Sequence, residues 1–164
     1  MKTKVMVLAA LAAMALAVSV PSVHAGIEPV PWMPEINKLH SIELNLGAIH
    51  KRMENLSNAP TLPAGTLNYV EATVNQTGVL NLRLTDVLAV LPAYNSLGAD
   101  REEIGLALDG IRTDAGGVMG ILEKISSRMG IEPVPWQWYT SLDAIKTQIT
   151  NYIGTCPVGA DCVP

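Results

Sequence analysis

Residues 104–129 read IGLALDGIRTDAGGVMGILEKISSRM, and within them Ile104, Leu108, Ile111, Ala115, Val118, Leu122, Ile125 and Met129 recur at alternating steps of four and three. A helix with 3.6 residues per turn carries all of these on one side, so the stretch is an amphipathic helix packed along other helices. Its ends agree with its period. Asp100 stands where an N-cap belongs, with Glu103 three residues on. Lys124 and Arg128 complement the negative end of the helix dipole, and Gly130 suits the left-handed position that follows.

Five glycines interrupt this helix: Gly105, Gly110, Gly116, Gly117 and Gly120. Each costs about 0.5–1 kcal/mol relative to alanine, and together they approach the whole net stability of a small domain. Something must offset that. Either the backbone approaches a neighbouring helix closely, with Gly116 and Gly120 on one face, or the helix bends at Gly116 and Gly117. The intramembrane use of such small residues does not apply, because Asp109, Arg112 and Asp114 lie among them.

The flanking chain repeats the pattern. Leu39, Ile42, Leu46, Ile49, Met53 and Leu56 form a helical seam over residues 35–56, with Pro34 in the first turn, and Trp138, Leu142, Ile145, Ile149 and Tyr152 form another that stops at Gly154. Residues 66–91 are less decided. Leu67, Val70, Val74, Leu84, Leu88 and Leu91 fit a helix, whereas Leu80, Leu82 and Leu84 alternate as a strand would, and residues 75–78 (NQTG) suit a hairpin turn. Three amphipathic helices need a fourth apolar face, so this segment is read as a helix. The fold class is all-α, an up-down-up-down four-helix bundle whose short connections make successive helices neighbours. An α+β fold with a hairpin at about 67–85 is the alternative.

The N-terminal 25 residues have the order of a signal peptide: Lys2 and Lys4, an apolar run from Val5 to Val18, then the small-residue exit at Val23, His24 and Ala25. The run is too short for a comfortable membrane span. The expected organisation is therefore a signal peptide over 1–25, a helical domain over 26–154 and a tail over 155–164. Cleavage leaves 139 of the 164 residues and removes two of the 11 basic residues, so 9 face 15 acids and the net charge is about −6. An acidic surface without a basic run argues against nucleic acid and anionic membranes as partners, and no stable insertion is expected after cleavage. Phenylalanine is absent, so Leu, Ile, Val and Met must build the core.

Cys156 and Cys162 both lie in the tail. In an oxidising compartment they are expected to close a short disulfide loop worth about 2.4 kcal/mol at most. His40 falls at position b of the first helical seam and His50 at position e, so neither points inward, and His50 is expected to pair with Glu54 on the surface. The haem attachment motif, the Glu-x-x-His pairs of di-iron bundles, the nucleophile elbow, the zinc-protease motif and the phosphate loop do not occur. No catalytic residue, cofactor or metal ligand is assigned.

One motif remains. The heptapeptide GIEPVPW occurs twice, at residues 26–32 and 130–136. Pro29 and Pro31, like Pro133 and Pro135, hold the chain extended, Ile27 and Ile131 supply an aliphatic group, and Trp32 and Trp136 end each copy with a ring that favours burial. The two copies would plug opposite ends of the bundle. Alternatively, the N-terminal copy docks on a neighbouring molecule, where an extended, preorganised arm loses little entropy. The functional expectation is an exported, non-enzymatic bundle acting through a protein partner or self-association, as a structural, assembly or adaptor subunit of a bacterial envelope, secretion or pilus apparatus. Its location would be the periplasm or outside the cell. The alternative is a periplasmic bundle holding a cofactor or small apolar ligand in its core.

Overall fold

A computed structural model describes residues 32–154. Four helices make up most of it: α1 (Met33–Asn58), α2 (Thr66–Val90), α3 (Arg101–Arg128) and α4 (Thr140–Ile153). Short 3-10 turns precede α3 (Tyr94–Ser96 and Gly98–Asp100) and α4 (Trp136–Trp138), and among the described residues there is no strand. No helix there is long and apolar enough to cross a membrane. Residues 1–25, read above as a signal peptide, and the cysteine tail lie outside the described residues.

The core is built from the predicted seams. Leu39, Ile42, Leu46, Ile49 and Met53 of α1, Ile104, Leu108, Ile111, Ala115, Val118, Leu122 and Ile125 of α3, and Trp138, Leu142, Ile145 and Ile149 at and after the start of α4 are all buried. Residues 67–85 are helical, so the hairpin alternative is overturned. Leu80 and Leu84 are buried while Leu82 is 65 % exposed, a division that one helical turn imposes and that a strand, with all three on one face, forbids. Thr73 and Thr77 take core positions in α2, completing the series Val70, Thr73, Thr77, Leu80, Leu84, Val87 and Leu91. Their hydroxyls donate back to Tyr69 O (2.8 Å) and Val74 O (2.7 Å), which satisfies them without a tertiary partner.

Chain direction alternates as anticipated, but the neighbours differ from those anticipated. Around the bundle α1 lies beside α2 and α3, and α4 beside α2 and α3, with the closest packing between α1 and α3. That pair is parallel: His40 meets Glu103 near their starts, and Lys124 Nζ donates to Asn58 Oδ1 at 2.7 Å near their ends. α2 and α4 are also parallel: Gly78 faces Ser141 near the start of α4, Gln148 hydrogen-bonds Asn81 and Thr85 further along, and Tyr152 Oη donates to Pro92 O just past the end of α2. The step from α2 to α3 therefore crosses a diagonal. Residues 91–100 are long enough to do so, and Leu91, Tyr94 and Leu97 are buried beneath the crossing. Tyr94 is held edge-on to Tyr152 of α4, 5.9 Å between ring centroids, with the Arg101 guanidinium over its ring.

The helix ends carry one further correction and one added contact. Asp100 occupies the N-cap position of α3 without a side-chain capping bond: the preceding 3-10 turn gives it helical backbone angles (φ −81°, ψ −6°), and a cap needs extended ones. Arg128 lies in the last turn of α3, as expected, and its guanidinium also serves the end of α1, donating to Ser57 O (2.6 Å), Ala59 O (2.7 Å) and Pro60 O (3.2 Å).

Candidate functional site

The second heptapeptide begins where α3 stops. Gly130 has φ +70°, Gly130 N donates to Ser127 O and Ile131 N donates to Ser126 O, both at 3.0 Å, which is the paired bonding of a Schellman cap. The buried Ser126 hydroxyl donates to Ile131 O as well, so the copy is fixed at its start from two directions. The bond between Glu132 and Pro133 is cis. Ile131 and Val134 then pack, half-buried, against the core.

Trp136 does not plug the bundle. It is 70 % exposed, whereas Trp138 is buried. The 3-10 turn explains why: Trp138 N donates to Pro135 O (2.9 Å), and at three residues per turn positions 136 and 138 cannot face the same way. Trp138 takes the inner place because Leu142, Ile145 and Ile149 continue its line. Trp32, the last residue of the first copy, lies at the N-cap of α1, half-buried against the core, and accepts Ile36 N at 2.9 Å. The two tryptophans are thus not equivalent. Ile27, Pro29 and Pro31 lie outside the described residues.

Beside Trp136 the surface is concave. A cavity of about 440 Å³ is lined by Leu67, Val74, Ile131, Pro135 and Trp138 together with the polar Glu71, Asn75 and Gln137. Leu67, expected in the core, is 38 % exposed here. Aliphatic and aromatic side chains thus form much of the wall of a concave surface next to the exposed indole.

A second constellation was not foreseen. His40 Nε2 lies 3.2 Å from Glu103 Oε1 and its Nδ1 3.3 Å from Glu43 Oε2, while His50 Nδ1 lies 2.7 Å from Asp114 Oδ1 rather than near Glu54. Both histidines therefore bridge α1 and α3. The Glu103 carboxylate, aided by Glu43, holds His40 above its ordinary pKa against a smaller opposing effect of burial. An Asp-His pair can orient a base, yet among the described residues no Ser, Thr or Cys hydrogen-bonds either ring, and no group of three or more His, Cys, Asp or Glu is placed to hold a metal ion. These pairs tie helices together.

The glycines belong to this seam. A Cβ at Gly117 would lie 2.4 Å from His50 Cε1, one at Gly110 would lie 2.2 Å from Glu43 Oε1, and one at Gly105 would lie 2.3 Å from Tyr94 Oη. Gly47 of α1 gives room in return to Asp114. The approach is by side chains over a bare backbone. At Gly116 and Gly120, where close packing was anticipated, a Cβ meets nothing within 4 Å. α3 runs unbroken through Gly116 and Gly117.

Comparison with protein-family models, with curated proteins and with solved structures finds no match for this chain.

Proposed function

We propose that this protein is exported and works by binding, as a non-enzymatic structural, assembly or adaptor subunit of a bacterial envelope, secretion or pilus apparatus. The observation that carries the reading is Trp136, 70 % exposed beside an apolar groove at one end of the bundle. A large ring is left in solvent although its twin, Trp32, is packed half-buried. Indoles at the edge of concave apolar surfaces are typical anchors of protein interfaces. The His40 and His50 pairs fit a non-catalytic reading, since each hydrogen-bonds a carboxylate of the neighbouring helix and, among the described residues, no Ser, Thr or Cys hydrogen-bonds either ring.

The signal sequence belongs to the same proposal: it directs the chain to an oxidising compartment, where Cys156 and Cys162 close the tail. Light scattering on residues 26–164, on the same chain lacking residues 26–33, and on W136A tests the reading. A mass above one chain that falls in at least one variant supports it. Single-chain mass in all three, with no partner retained by the native envelope fraction, contradicts it.

A further inference from the structure

α1 and α2 leave an open channel between them. Its floor is Ile42, Ile49, Leu80 and Val87, and two adjoining cavities of about 340 and 280 Å³ share Arg83 between them. The walls are cationic, carrying Lys38, Arg52 and Arg83 against the single acid Asp86. Lys38 has Glu35 at 3.5 Å, but among the described residues neither Arg52 nor Arg83 has a carboxylate partner. In a chain of isoelectric point about 5.3, this is where positive charge is left over.

The opposite character appears on the outward face of α3. At 100° per residue, Glu102, Leu106, Asp109, Thr113, Gly116 and Gly120 lie within about 80° of one another, on the side away from the core line of Ile104, Leu108 and Ile111. Leu106 is 65 % exposed between Glu102 and Asp109, and Asp109 is shared with Arg112. Gly116 and Gly120 extend this ridge with bare backbone and open space above it. Inside one molecule they cost helix stability with no contact in return.

We infer that the channel between α1 and α2 receives the acidic outward face of α3 from a second copy of this chain. Leu106 seats on the apolar floor, Glu102 and Asp109 meet Arg83 and Arg52, and the glycines let the ridge lie low. The same molecule cannot supply both halves, because α3 lies diagonally across the bundle from α2 and its outer face points away. The two surfaces differ, so the contact is head-to-tail and repeats from copy to copy. This rests on the assembly reading above and names the partner and the surfaces.

The test is sedimentation velocity of the exported chain at low salt, with the double variants R52E/R83E and E102R/D109R, their four-fold combination, and L106D. Far-ultraviolet circular dichroism checks folding, which substitutions at these surface positions leave intact. The expected result is association in the native chain, weakened at least tenfold by either charge reversal and by L106D, and recovered when the reversals are combined. Association indifferent to both reversals but lost without residues 26–33 overturns this contact and leaves the assembly reading standing. Single-chain mass under every condition overturns both.

Discussion

Gly105 and Gly120 occupy the same helix and answer opposite demands. Gly105 is buried under Tyr94, itself 2 % exposed and unable to retreat, so G105A forces the ring out of place and should destabilise the protein by about 1–3 kcal/mol. G120A adds a methyl group in open space and should stabilise the folded chain by about 0.5–1 kcal/mol. Urea unfolding of both variants at low protein concentration checks the pair, and equal effects of one sign would contradict the packing described. His40 gives a pH dependence with a definite sign. Its pKa is raised in the folded state, so its contribution is complete below the unfolded value of about 6.5 and fades as pH climbs through the higher folded value. H40Q should therefore lose more stability at about pH 5.5 than at about pH 8.5, by about 0.3–0.5 kcal/mol, the small size reflecting a ring that is 43 % exposed. A difference of the reverse sign would show that Glu103 does not hold the ring.

α2 shows how far a helix can be read from its residues alone. Its period is blurred because three of its seven buried positions, Thr66, Thr73 and Thr77, are threonines, whose β-branching and polarity suggest a strand or a surface. Back-bonding to the preceding turn removes the polar objection, and only packing against α1 and α4 removes the conformational one. L84A should cost about 2–5 kcal/mol in thermal or urea unfolding and L82A under about 0.5 kcal/mol, because one side chain is fully buried and the other faces water. Comparable losses would restore the strand reading. The seam between α1 and α3 was legible only in hindsight of its partner: Glu43 and His50 are seven residues apart, as are Gly110 and Gly117, and the two pairs face each other. That match is invisible until α1 and α3 are known to be parallel neighbours. Trp136 is legible in the sequence as the end of the repeat, but its exposure is not, because the 3-10 turn gives the buried place to Trp138.

At the scale of the molecule, composition and period suffice to name a helical bundle, and the long buried crossing from α2 to α3 decides which helices touch. The topology sets the surfaces on which the proposed contact rests. By placing α1 against α3 it ties the histidines into a structural seam, leaves the channel between α1 and α2 open, and turns the ridge of α3 outward. The proposed place of this bundle in an assembly rests on the outward-facing Trp136, Leu106, Arg52 and Arg83, left over once the aliphatic side chains have packed on one another. The most direct test of that claim is sedimentation equilibrium of residues 26–164 across a wide range of protein and salt concentration. The account predicts a mean mass that rises above one chain with concentration and falls with salt; the mass of one chain at every concentration, in low salt, would contradict it.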